Sequence, residues 1–366
     1  MAQTVFPWGH PSAKKHWSAQ VLKEQLTKSY WQKFIGMTDD AIIQQKNDLQ
    51  ADDGDRVSFD LSVLLRGEAT TGDDRVEGKE EALRLYTDEV IVDQVRKGVS
   101  LGGKMSRKRI VHNMRRLGRD RLSQYFTQWV DTLIFMTLSG ARGINPDFDG
   151  FNLDYSGHSL NAFRAPDVDH MFYGGAATAK NNITTGDIMT RDLVERLSTY
   201  VTMLRALNPD VANMLPTTVA GGEHYILLMS SFQKHSLRND TGTANWLDVQ
   251  KSASGAVGAN SPIFKGGLGM IDNVVLHEHS RVIRFDDYGV GANLPAARAL
   301  LLGRQAGIIA YGTPNGARFS WVEDTKDAGN EAVLYCGNIM GVQKARFNNR
   351  DFGVISVDTY AKSPMN

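Results

Sequence analysis

The chain contains one cysteine, Cys336, in 366 residues. A lone thiol excludes an intrachain disulfide framework and any thiolate cluster for a metal, and it fits a reducing compartment. An excess of either charge is also missing. Lys+Arg and Asp+Glu both number 41, so nothing global points to nucleic acid or an anionic membrane, and a charge-driven partner has to be met by a local patch. No stretch approaches the ~20 apolar residues of a membrane-spanning helix. The opening MAQTVFPWGHPSAKKHW has no uninterrupted apolar run of the secretory type. The expectation is a chain neither secreted by that route nor membrane-spanning. No G-x-S-x-G elbow and no P-loop occurs either, which removes two large enzyme classes.

What is present is ordinary for a globular protein, with 42% hydrophobic and 22% charged residues and length for about two domains. Between residues 17 and 55, Val21, Leu22, Leu26, Tyr30, Trp31, Phe34 and Ile35 recur at spacings of three and four, which predicts one amphipathic helix docking through its aromatics. Residues 57–98 read differently. Val57, Phe59, Leu61 and Val63 alternate with polar residues, and Leu83, Leu85, Val90 and Val92 repeat the habit beyond a polar tip. Period two marks two strands, and the tip, 67–78, is far longer than a hairpin turn needs. It and its flank carry Asp73, Asp74, Glu77, Glu80 and Glu81 against Arg75 and Lys79. An isolated two-stranded hairpin is marginal in water, so the arm has to lie on something else, and a neighbouring subunit is the simplest candidate.

From residue 106 to 139 the period becomes helical, through Ile110, Met114, Leu117, Leu122, Tyr125, Trp129, Leu133 and Met136, up to Gly140. This predicts one long spine helix. Its first half is strongly basic, with Lys104, Arg107, Lys108, Arg109, Arg115, Arg116, Arg119 and Arg121. Either that run is a solvated, ion-paired face, or it meets nucleic acid or the acidic tip of another copy's arm. The rest predicts an α+β chain. The segment 140–186 is loop-rich, 187–207 is a helix opened by Thr184 or Thr185, 225–229 and 273–276 are strands, 295–311 is a helix, and strands return at 319–322, 333–335 and 354–357.

Each chemical candidate has a plainer reading beside it. Asn145, Asp147, Asp149 and Gly150 match the first half of a calcium loop, but position twelve is Ser156 rather than a bidentate Glu; an Asx-rich turn accounts for the spacing. His277, Glu278 and His279 place two imidazoles on one strand face, yet two ligands do not close a zinc site, and an exposed polar strand end is the plainer account. Gly289 and Gly291 start a G-x-G before a predicted helix, but Leu294 replaces the third glycine. Cys336 in an apolar strand reads as a buried inert thiol. None of these residues supplies a mechanism for chemistry, and no metal or cofactor is expected. A metal- or nucleotide-dependent enzyme built on His277, His279 or Gly289, and a nucleic-acid-binding module, stand as rival classes.

Longer blocks carry a resemblance. GDRVSFDLSVLLRGEATTGDDRVEGKEEAL, GKMSRKR, FKGGLGMIDNVVLHEH, ALLLGRQAGIIAYG and RFNNRDFGVISVDTYA, in that order over nearly the whole chain, resemble the major capsid proteins of podoviruses of the phage N4 type. The resemblance implies the Hong Kong 97-type (HK97) capsid fold. Its parts would be an N-terminal arm at 1–54, an E-loop hairpin at 55–103, and a peripheral domain with spine helix and loop-rich segment at 104–185. An axial domain would follow at 186–315, with return strands of the peripheral domain at 316–366. It also implies an icosahedral shell around double-stranded DNA, assembled in the host cytoplasm from hexamers and pentamers of this chain. The implied partners are a portal, a decoration protein and a separate scaffolding protein, since only about fifty residues precede the hairpin. The E-loop would cross the neighbouring subunit through Asp73, Asp74, Glu77, Glu80 and Glu81. The spine helix would turn Arg107, Arg109, Arg115, Arg116 and Arg119 toward the interior for non-specific contacts with packaged DNA, or toward another subunit.

Overall fold

The computed structural model describes residues 29–50, 54–62, 65, 67–110, 112–145, 157–158, 160–207, 212–219, 222–240, 267–312 and 319–365. Its described residues are mixed helix and sheet, and they divide into two compact units. The first holds residues 96–127 and 320–337, and the second holds 29–95, 128–319 and 338–366.

In the first unit, the strand Ser320–Lys326 runs antiparallel to the beginning of Glu331–Lys344, from Ser320 opposite Gly337 to Lys326 opposite Glu331. The end of Asp93–Gly103 pairs on the other side of that central strand. Leu122, Phe126, Leu101 and Leu334 are buried there. Gly118 allows the helix to approach closely, because a Cβ would lie 2.8 Å from Leu101.

The single long helix expected at 106–139 is two helices, α1 (Lys104–Arg109) and α2 (Met114–Ser139). The break follows from its own residues. Ile110 is extended at the end of α1, and Asn113 starts a new helix, its side chain accepting the Arg116 N–H at 3.1 Å as an N-cap does. Gly140, at φ +67°, closes α2 as the sequence predicts. The Ser139 carbonyl at that end accepts from Arg298 Nη1 at 2.9 Å, which satisfies an orphan carbonyl with a cation where the helix dipole favours one.

In the second unit an eight-stranded sheet is ordered Gly267–Ile271, Val274–Glu278, Gly222–Met229, Leu294–Leu302, Val354–Tyr360 and Met171–Tyr173, with two short strands pairing on its sides. The helix Arg191–Leu207 covers it, bringing Leu193, Leu197 and Val201 into one core with Leu227, Leu276, Leu301 and Val357. That helix begins later than expected. Thr190 caps it by accepting the Leu193 N–H, while Asp187 accepts from the Thr184 N–H and hydroxyl and holds a turn instead. The segment 295–311, expected to be helical, is two strands, Leu294–Leu302 and Gly307–Tyr311. Both are buried for nearly their whole length. A strand covered on both faces loses its alternation, so its apolar run cannot be told from a helix by periodicity. At the centre Arg298 grips Asp358 at 2.8 and 2.7 Å, and Tyr288 donates to the same carboxylate at 2.5 Å. A buried cation thus has its charge and its donors met together.

Candidate assembly surfaces

The hairpin forms as its alternation predicts. Arg56–Ser62 pairs antiparallel with Leu85–Ile91, from Arg56 opposite Ile91 to Ser62 opposite Leu85. Its base is in the core, where Val57, Val90 and Val92 pack with Ile308 and Ala310. Beyond the Leu61–Tyr86 rung burial ends. Every described residue from 62 to 85 except Thr70 is exposed, and Leu65, Val76, Leu83 and Leu85 are 61, 60, 73 and 63% exposed. Four large apolar side chains left uncovered on one hairpin make it a candidate surface for a partner.

The tip acids have separate positions. Glu81 accepts the Gly67 N–H at 2.6 Å and Glu80 the Gly78 N–H at 2.7 Å, which holds the tip in shape. Asp74 and Lys79 make an exposed pair at 3.4 Å. Asp73 and Glu77 are exposed. The basic run lies in the other unit. Arg115 pairs with Glu323 at 2.7 Å and Arg107 donates to the Asn330 carbonyl at 3.3 Å, while Arg109, Arg116 and Arg119 are exposed.

The helix expected around residues 17–35 does not extend over 29–36. Trp31–Lys33 is one short 3-10 turn and Ile35 is already in a strand paired with Ile43; Val21, Leu22 and Leu26 lie outside the described residues. The aromatics dock as expected. Tyr30 and Trp31 pack on Phe135, with ring centroids at 5.9 and 4.8 Å, and Asp131 accepts the Ser29 hydroxyl at 2.6 Å and the Tyr30 N–H at 2.8 Å. Burial raises the Asp131 pKa above the usual carboxylate value, against the lowering effect of those donors and of Arg281.

The same aromatics correct the exposed reading of the histidines. His277 is fully buried, with Nδ1 3.2 Å from Lys33 Nζ. His279 lies 4.5 Å from the Tyr30 ring and stacks at 4.8 Å on Phe135. Both imidazoles meet Tyr30, as their spacing of two requires, and they are covered by a segment some 240 residues away. Burial, then Arg281 and Lys33, pulls the His279 pKa down to about 4, and burial pulls Lys33 to about 8. Glu278 is paired with Lys234 at 2.5 Å. Among the described residues, no three His, Cys, Asp or Glu side chains form a group that could hold a metal ion.

The remaining candidates serve the fold. Asn145 spends its side chain on backbone, donating to the Val282 carbonyl at 2.8 Å and accepting the Arg284 N–H at 2.7 Å, so its oxygen is not a free calcium ligand. Asp147, Asp149, Gly150 and Ser156 lie outside the described residues. Gly289, at φ +79°, turns the strand Arg284–Tyr288 into Leu294–Leu302; a strand follows it where a dinucleotide fold needs a helix. Cys336 is buried and its thiol pKa is pushed up to about 11 by burial, far from a thiolate nucleophile.

Sequence reasoning missed the residues that grip the hairpin root: Asp88, Asn161, Arg164 and Arg346. They are single polar residues in unrelated segments, and nothing in their spacing signals contact. Asp131 was missed as well, although one signal could have found it: it is the one charged residue between 122 and 139.

An α+β body, a hairpin rooted in one core with its far end exposed, and a helix with a basic first half suit a shell-forming protein. The chain belongs to the phage capsid protein family, whose model matches residues 5–363. It is a major capsid protein of a tailed phage, with the Hong Kong 97-type fold. The major capsid protein of Pseudomonas phage KPP25 is 27% identical over 375 residues, covering 94% of each chain. The capsid of Ralstonia phage GP4 is 54% identical with a TM-score of 0.91 over 99% of each chain. The capsid asymmetric unit of cyanophage Pam1, 22% identical over 98% of this chain and 99% of that one, shares the fold with a TM-score of 0.74.

Proposed function

We propose that the chain builds its shell by laying the hairpin of residues 55–103, as the E-loop, across a neighbouring copy, and that it has no catalytic site. The observation carrying this is the exposure of the described residues of 62–85, Thr70 apart, with four large apolar side chains uncovered on an arm whose root is buried. The tip acids then meet basic groups of the next subunit, with Arg109, Arg116 and Arg119 as exposed candidates. Residues 1–54 act as the arm, 104–185 and 316–366 as the peripheral domain and 186–315 as the axial domain. The shell, assembled in the host cytoplasm from hexamers and pentamers, encloses double-stranded DNA held by salt-sensitive phosphate contacts without sequence reading. Scaffolding protein, portal and decoration protein are its expected partners. The quoted sequence blocks support an N4-type podovirus as the source.

Electron microscopy and light scattering of the purified protein test this reading. Capsomer rings or closed particles are expected. A monomer that binds stoichiometric zinc, lost on His277→Ala with His279→Ala, would favour an enzyme instead.

A further inference from the structure

The hairpin is gripped at its root. Asp88, on the returning strand, receives Arg164 Nη1 at 2.5 Å and Nη2 at 2.8 Å, and the Arg346 backbone N–H at 3.1 Å. The Asp88 side chain is 9% exposed, so these donors replace its water and act where screening is weak. Three residues on, Asn161 does for Ile91 what a neighbouring strand would do. Its Nδ2 donates to the Ile91 carbonyl at 2.7 Å and its Oδ1 accepts the Ile91 N–H at 3.1 Å.

The gripping residues are themselves held. Arg164 also donates to the Lys344 carbonyl at 3.2 Å. Arg346 and Lys344 both pair with Asp351, at 2.7 and 2.6 Å. Shape adds to this. Phe59 meets Phe347 edge-on at 5.8 Å, and a Cβ at Gly341 would collide with the Ile91 carbonyl. Past the Leu61–Tyr86 rung the described residues of the arm, Thr70 apart, are exposed.

We propose that Asp88 and Asn161 are positioning residues of a root lock that sets the hairpin's direction in the free subunit, so that bending takes place only beyond the Leu61–Tyr86 rung. This rests on the reading that the hairpin captures a neighbouring copy. An arm already aimed loses less conformational freedom on association than one that swings, so the lock acts on the rate of capture and leaves the tip contacts unchanged.

Hydrogen exchange of the unassembled subunit tests the lock, and light scattering tests its consequence. In Asp88→Asn and in Asn161→Ala, backbone amides of Arg56–Ser62 and Leu85–Ile91 are expected to exchange roughly tenfold faster or more, while Val354–Tyr360 keeps its protection. The onset of assembly should lengthen, with particles of unchanged size, and Asp88→Glu, which keeps the carboxylate, should restore part of the rate. Unchanged exchange at the root in both variants would overturn the lock. Equal acceleration at Val354–Tyr360 would overturn it too, showing loss of the fold and not of an aim; if Asp88→Asn does not fold, Asn161→Ala carries the test. Faster root exchange with unchanged assembly onset would leave the lock standing and sink its role in capture.

Discussion

Asp131 of α2 accepts the backbone N–H of Tyr30 at 2.8 Å, so the one acid in the buried half of the helix anchors the described segment that begins at Ser29. The Ser29 hydroxyl shares that carboxylate at 2.6 Å. Replacing Asp131 with Ala leaves the Ser29 hydroxyl and the Tyr30 and Trp31 N–H groups without this acceptor, a cost of about 1–3 kcal/mol. A lower Tm and faster exchange of the Tyr30 amide are expected, while Asp131→Asn, which keeps one acceptor oxygen, should fall between. Exchange at Tyr30 as slow in the Ala variant as in the parent would contradict the clamp.

Acid should weaken the second unit through His279. Its folded pKa of about 4 lies below the ordinary 6.5, so the fold favours the neutral ring. The resulting stability is full above about 6.5 and is lost as pH falls toward 4, to a limit of roughly 3 kcal/mol. Asp131, whose pKa is raised, works the other way, gaining stability as it takes up a proton. Denaturant midpoints from pH 7 to 4 should fall in the parent and fall less in His279→Gln. Parallel curves would mean that the ring is not the titrating group.

The tip acids can be tested without touching the two that bind tip backbone. Glu80 and Glu81 bind tip backbone, so the cleaner substitution is Asp73, Asp74 and Glu77 to Lys together. Any one exposed pair is worth only ~0–1 kcal/mol, and three reversals repeated around a shell add up. The subunit should keep its Tm while particle yield drops, most at low salt where screening is weakest. Undiminished yield at low salt would remove these acids from the contact.

DNA contact by the basic run should be weak and indifferent to sequence. Arg115 and Arg107 are already engaged within the subunit, which leaves Arg109, Arg116 and Arg119 for phosphates. A fluorescence titration of the free subunit on two unrelated duplexes should give equal affinities that vanish at moderate salt. Changing Arg116 and Arg119 to Gln should flatten the salt slope by about 0.9 for each phosphate no longer neutralised. Tight, salt-resistant and sequence-selective binding would favour a nucleic-acid-binding module.

The hairpin was legible because period two over Val57, Phe59 and Leu61 is a local signal, and the end of α2 because Gly140 is a local stop. The break at Ile110–Asn113 was not, because a cap inside a basic, weakly apolar stretch interrupts a period that continues on both sides. Residues 294–311 misled because Ala296–Leu302 is buried on both faces and shows no alternation. His277 looked exposed because its cover, Tyr30 and Phe34, is distant in sequence. The root lock was illegible for the same reason, since Asp88 meets Arg346 across 258 positions. Contacts of that range come from topology, which periodicity does not encode.

The central claim is that the exposed arm exists to join copies. Its most direct test replaces residues 63–84 by an Asn-Gly turn, a two-residue loop suited to the flanking strands, under the conditions in which the intact chain forms rings or particles. The account expects the shortened protein to keep its circular dichroism and Tm within a few degrees and to sediment as a small species. Rings or particles from the shortened chain at the yield of the intact one would contradict it.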